Sequence, residues 1–186
     1  MAISPADGCL FGSKRRVILH LIRHPKPVVA AGICYGRLDI LAENVEGVAA
    51  ALRADLPSGL PLWSSPLRRC RALAELLSPG PVFDERLVEM DFGEWEGRPW
   101  DAIPRHELDT WAADVAGYAP PGGESPLALQ RRALDFVATL NVPEAVIVTH
   151  AGVIRTLMAH WQGLPPVRWT EMVFAYGSCT RVVLER

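Results

Sequence analysis

Short apolar runs alternate along the chain with apolar stripes spaced three and four residues apart, the pattern of strands alternating with helices. The first run is Val17-Ile18-Leu19-His20-Leu21-Ile22, mostly β-branched residues or leucine, and it stops at Arg23-His24. Pro25 and Pro27 forbid its continuation in a central strand. Glu43 to Leu56 reads as a helix with Val45, Val48, Ala49 and Leu52 on one face, ended by Pro57-Ser58-Gly59. Leu60 to Ser64 is the next strand. Ser65 is then placed to cap a helix running to Leu77, with Pro66 at its first position. Val82-Phe83 is a brief strand, and Trp100 to Tyr118 is helical only in pieces because Pro104 interrupts it. Ser125 caps a helix from Pro126 to Leu140 whose stripe is Leu129, Ala133, Phe136, Val137 and Leu140. Ala145-Val146-Ile147-Val148-Thr149-His150 repeats the opening theme, an apolar run ending in histidine, and a helix from Val153 to Trp161 follows. Thr180 to Leu184 reads as a closing edge strand.

Strands separated by helices predict an α/β fold with a mostly parallel sheet covered on both faces. If the two histidine-ended strands are parallel neighbours, His24 and His150 emerge at one sheet edge, within about 10 Å of each other. The carboxyl ends of strands are where such sheets place their ligand crevice. Two imidazoles beside the Arg23 guanidinium suit an anion, most simply a phosphate. Arg68, Arg69 and Arg71 fall in or near the first two turns of the helix that follows the strand Leu60 to Ser64, a place whose dipole disfavours cations unless an anion sits between them and the free N–H groups. Two of these three read as solvated helix charges. His20, His106 and His160 read as packed or surface histidines, and Trp100, Trp111 and Tyr118 as packing residues.

Composition narrows the partners. The chain has 186 residues, 49% of them hydrophobic and 22% charged, with a net charge of −2. One domain over residues 17–186 is expected, preceded by a loose leader over 1–16 in which Lys14-Arg15-Arg16 is a solvated strand flank. A net acidic chain gives no reason to expect nucleic acid or an anionic membrane as partner. No apolar run approaches the length of a membrane span. Cys9, Cys34, Cys70 and Cys179 are scattered without a CxxC pair, which points to reduced thiols in a cytoplasm and not to a disulfide framework or a zinc site. Oligomeric state is not legible.

Four motifs in order carry a resemblance. They are Arg23-His24, Ser64-Ser65-Pro66-Leu67-Arg68-Arg69, the acidic loop Glu89-Met90-Asp91-Phe92-Gly93-Glu94-Trp95-Glu96-Gly97, and Thr149-His150-Ala151-Gly152. Together they resemble the histidine phosphatase superfamily, related to phosphoglycerate mutases, over nearly everything from Val17 to Leu184. The resemblance implies a three-layer α/β/α sandwich with a mostly parallel central sheet. It implies a phosphomonoester hydrolase that needs no cofactor or metal. His24 would be the nucleophile forming a phosphohistidine, a choice over His150 that rests on motif position alone. Arg23 and Arg69 would grip the phosphate, His150 would stabilise an equatorial oxygen, and Glu89 would be the general acid. A carboxyl group beside apolar Met90 and Phe92 suits that role. Asp91, Glu94 and Glu96 read instead as solvated acids of the turn.

The chain departs from the family pattern after the nucleophile. Pro25 stands where relatives usually have Gly, and Lys26, Pro27 and Ala30 stand where relatives often carry Glu-Thr and an Asn that touches phosphate. Proline lacks an N–H but keeps a carbonyl that can accept from the His24 ring. In the loop 25–41, Asp39 reads as a cap for the next helix, and Arg37 as a substrate contact or a surface arginine. The compact length and Tyr35-Gly36-Arg37 resemble the α-ribazole phosphatase branch, which makes Tyr35 and Arg37 candidate substrate contacts and a small-molecule phosphate monoester the expected partner. A phosphohistidine-protein phosphatase, a broad small-molecule phosphatase and a non-catalytic phosphate- or nucleotide-binding module are the alternatives.

Overall fold

The computed structural model of the protein describes residues 15–185. Five strands form one sheet: β1 (Arg16–Arg23), β2 (Leu62–Ser64), β3 (Val82–Phe83), β4 (Glu144–Thr149) and β5 (Cys179–Glu185). Their order across the sheet is β3-β2-β4-β1-β5, parallel except for β5, which runs antiparallel to β1 at the edge. Five α-helices connect them: α1 (Val45–Asp55), α2 (Arg68–Leu77), α3 (Arg105–Ala113), α4 (Pro126–Thr139) and α5 (Ala151–Trp161).

Strand alternation sorts the core into two layers. Leu19 and Leu21 of β1 and Ala145 and Ile147 of β4 face α4 and α5, packing on Leu129, Phe136, Ile154 and Leu157. Ile22, Val146 and Val148 face the other way, onto Ala49 and Leu52 of α1 and Leu73 of α2. This is the expected three-layer α/β/α sandwich, with the side-chain period of two deciding which helix each residue meets. His20 lies on the opposite face from Leu19 and Leu21, buried, with Nε2 2.8 Å from Glu144 Oε1. His106 and His160 are exposed.

Element boundaries shift in places with physical causes. The α2 helix starts at Arg68, not at Pro66, and Leu67 is its N-cap residue. Ser65 therefore does not cap it: its hydroxyl accepts from Leu67 N at 3.3 Å and is drawn to His150 at 2.8 Å. The cap comes from Asp39, whose Oδ1 accepts from Arg68 N at 2.7 Å, so Asp39 serves α2 and not the next helix in the chain. Ser125 does cap α4, accepting from Ala128 N at 3.3 Å. Of the expected leader, residues 1–14 lie outside the described residues. Arg16 already belongs to β1, opposite Glu185 of β5, and Arg15 donates to Asn141 Oδ1.

Candidate active site

The parallel register sets Arg23 of β1 against Thr149 of β4, so the next residue of each strand, His24 and His150, leaves the same sheet edge. Their ring centroids are 5.1 Å apart at an interplanar angle of 61°. Both are buried, at 1% and 0% exposure. His24 Nδ1 lies 2.6 Å from Pro25 O, and a carbonyl can only accept, so Nδ1 carries the proton and Nε2 keeps its lone pair. The proline that breaks the strand thus fixes the tautomer through the carbonyl it retains. Burial pushes His24 down to about 3, with Arg69 and Arg23 adding to the effect and the Pro25 bond opposing it. His150 is also held well below its usual range, first by burial and then by Arg69. Its ring touches Ser65 Oγ at 2.8 Å and Cys70 Sγ at 3.4 Å. Two neutral imidazoles therefore meet in a buried, positively biased site.

The arginines supply that bias. Arg69 is fully buried, whereas Arg68 and Arg71 are exposed, as two of the three were expected to be. Arg69 donates to Leu38 O at 2.7 Å and Gly36 O at 2.5 Å. Arg23 donates to Phe174 O at 2.6 Å and its guanidinium carbon lies over the Tyr176 ring, 3.6 Å from its centroid. The Nε–H of each guanidinium is buried and has no hydrogen-bond partner. Two uncompensated buried donors beside two neutral imidazoles suit a ligand that only accepts, such as a phosphate dianion. Tyr35 and Tyr176 bridge over the site with their hydroxyls 2.9 Å apart, and Tyr35 lies 5.5 Å under the Arg69 guanidinium.

The acidic loop is mostly built inward, which corrects its reading as a solvated turn. Glu96 accepts from Arg37 N at 2.7 Å, Leu38 N at 2.8 Å and Phe92 N at 3.1 Å. It thereby holds the very segment whose carbonyls grip Arg69. Asp91 Oδ1 accepts from Gly93 N at 2.9 Å. Glu94 alone of these three is exposed. The loop crosses the 120–124 turn so closely that a Cβ on Gly93 would sit 2.1 Å from Pro121 O, and one on Gly123 2.4 Å from Asp91 O.

Glu89 stands between the loop and the second histidine. Its Oε1 accepts from Met90 N at 3.0 Å and its Oε2 from Gly152 N at 3.1 Å, in the first turn of α5, two residues past His150. Arg132 holds the Glu89 carbonyl at 3.0 Å and grips Glu124 at 2.6 Å. Burial works against the Glu124 charge, but Arg132 outweighs it and holds the carboxyl below its usual range.

Of the sequence candidates, Arg23, His24, Arg69 and His150 converge directly, with Tyr35 lying against Arg69. Arg37 goes elsewhere: its guanidinium pairs with Asp91 at 3.5 Å and Glu124 at 3.4 Å. Sequence reasoning missed the Arg132–Glu124 pair and Tyr176. A signal for Tyr176 existed, since an edge strand antiparallel to β1 must begin at the end where β1 stops. Gly177 N accordingly donates to the carbonyls of Arg23 and His24. Among the described residues, no three His, Cys, Asp or Glu side chains gather where they could hold a metal ion.

The sequence model of the histidine phosphatase superfamily (branch 1) matches residues 19–186. The chain belongs to this superfamily. It is a phosphomonoester hydrolase. This histidine phosphatase is 32% identical over 177 residues to the glucosyl-3-phosphoglycerate phosphatase of Mycolicibacterium vanbaalenii, covering 83% of this chain and 77% of that one. It is 28% identical over 153 residues to the adenosylcobalamin/alpha-ribazole phosphatase of Escherichia coli, covering 76% and 70% respectively. Its fold matches the native structure of a mycobacterial glucosyl-3-phosphoglycerate phosphatase with a TM-score of 0.78 at 26% identity, covering 91% of each chain. Among its described residues no helix is long and apolar enough to cross a membrane.

Proposed function

We propose that this phosphatase works without a metal, through a phosphohistidine on His24, and that α-ribazole 5′-phosphate is a substrate. The observation that carries the mechanism is the pair of buried, unpartnered Arg23 and Arg69 Nε–H groups flanking a histidine whose Nε2 lone pair is free. The guanidinium donors hold the phosphate dianion. His24 Nε2 attacks phosphorus, the bond to the ester oxygen breaks, and Glu89 gives that oxygen its proton. Glu89 then takes a proton from water, the oxygen attacks phosphorus, and inorganic phosphate leaves with His24 restored. His150 bonds an equatorial oxygen as charge develops on it. Two arginine cations at the centre would repel a divalent metal, which favours the metal-free route. Tyr35, which lies against Arg69, and the similarity to the Escherichia coli enzyme support the substrate.

Four measurements test this reading. His24→Ala abolishes turnover and removes an acid-labile, base-stable phosphoryl-enzyme. Glu89→Gln costs about 10²–10⁴-fold on alkyl phosphates and less on p-nitrophenyl phosphate, whose leaving group needs little protonation. EDTA leaves hydrolysis unchanged. A phosphoryl-enzyme that persists in His24→Ala would overturn the nucleophile, and a kcat/KM for α-ribazole 5′-phosphate no higher than that for simple alkyl phosphates would overturn the substrate.

A further inference from the structure

Behind Glu89 lies a cavity of about 280 Å³, close to the lower end of ordinary ligand pockets. Glu89, Ala151 and Gly152 form its wall on the side of the histidines, so the carboxylate that faces the reaction also faces this space. The rest of the wall is chiefly apolar, with four aromatic rings among it: Phe92, Trp100, Trp111 and Trp169. Trp100 and Trp111 stack on each other, with centroids 5.9 Å apart and planes at 14°, and Phe92 meets Trp100 edge to face with centroids 5.6 Å apart. Arg155 is the single cation of the lining, and Met172 O accepts from its Nε and Nη2 at 3.3 Å. A second observation points the same way: the Trp111 indole N–H is buried and has no hydrogen-bond partner.

We infer that this cavity takes the leaving group, and that it selects a primary alcohol carrying a flat aromatic ring system with a hydrogen-bond acceptor on its rim. The inference rests on the phosphohistidine reading above, because it needs the ester oxygen to sit at Glu89. An oxygen protonated there has its carbon directed into this space. A flat ring can pack on these aromatic faces, and an acceptor satisfies the lone Trp111 donor. A small polyol without a ring would instead leave the indole and phenyl faces uncovered and bury its hydroxyls against them, which is costly.

The test uses three primary alkyl phosphates whose leaving alcohols differ mainly in the body they carry: ethyl phosphate, glycerol 3-phosphate and 2-(quinolin-4-yl)ethyl phosphate. The wild-type enzyme should show a kcat/KM for the quinoline ester at least tenfold above the other two, since even one methylene in an apolar pocket is worth roughly 10–200-fold. Trp111→Ala should reduce that ratio at least fivefold. Because Trp111 also packs on Trp95 and Trp100, Val115→Trp supplies an independent arm: it fills the cavity without removing a packed ring and should collapse the same ratio. Equal kcat/KM for all three esters, or a ratio unmoved in folded Val115→Trp, overturns the cavity assignment. Hydrolysis of all three esters without any phosphoryl-enzyme sinks the catalytic reading, a different outcome read in a different assay.

Discussion

Gly152→Ala offers a sharp test of how Glu89 is held. The position is helical, so alanine fits the backbone and by propensity favours α5 by about 0.8–1.0 kcal/mol. The added Cβ, however, would stand 2.2 Å from Glu89 Oε1, 3.1 Å from its Cδ and 3.3 Å from Leu129 Cδ2. Carbon and oxygen at ordinary contact need roughly 1 Å more than the first of these distances, so the carboxylate must move by about that amount. Moving it strains or breaks the 3.1 Å bond from Gly152 N, and a hydrogen bond to a charged group is worth about 1.5–3 kcal/mol. Propensity offsets part of that loss, leaving a net destabilisation of roughly 2 kcal/mol at most and a Tm drop of about 4–8 °C at most. The effect on chemistry is larger, since a misplacement of about 1 Å can cost about 10²-fold in rate. The assay compares rapid-quench phosphorylation rates for an alkyl phosphate and p-nitrophenyl phosphate, with inorganic phosphate inhibition as the control for the anion grip. The alkyl rate should fall about 10²-fold, the aryl rate much less, and the inhibition constant little. An alkyl rate within about threefold of wild type, in a folded variant, would refute the placement of Glu89 as proton donor.

Other consequences of the same geometry are open to measurement. Glu96→Gln keeps one acceptor but loses the second oxygen that orders residues 37 and 38, so the Arg69 cradle should loosen; kcat/KM should fall about tenfold and the inhibition constant for inorganic phosphate should rise, while an unchanged inhibition constant would show that Arg69 does not depend on Glu96. Acid should destabilise the fold early: His24 falls to about 3 from 6.5 and His150 well below 6.5, so between pH 6.5 and 3 the unfolded chain binds protons that the folded chain refuses. Stability then declines as pH falls, by up to about 1.4 kcal/mol per pH unit for each histidine, and the lowered Glu124 and Asp84 carboxyls add to the loss at the acid end. A urea midpoint that stays flat from pH 6.5 to 4.5 would contradict it.

Much of this protein is written in short-range pattern. An apolar run closed by prolines made β1 and delivered Arg23-His24 at its end, and the same theme in β4 delivered His150. Because a parallel neighbour shares its register, two similar strands sufficed to bring their histidines together. The stripe on α4, its Ser125 cap and the edge position of β5 were legible for the same reason, since periodicity and capping act within a few residues. The motif Ser-x-Pro-Leu-x-Arg separated buried Arg69 from its exposed neighbours Arg68 and Arg71, which composition alone could not do. Tertiary structure decided what depends on residues far apart in the chain. Asp39 caps a helix 29 residues away, Glu96 orders a loop 59 residues before it, and Arg132 holds the Glu89 carbonyl across 43 residues. In sequence these are charges in loops and on a helix surface, indistinguishable from solvated ones. Only folding removes the water around them, and once buried each must find a partner, so the choice of partner is made by whichever backbone N–H or carbonyl the packed layers bring within reach.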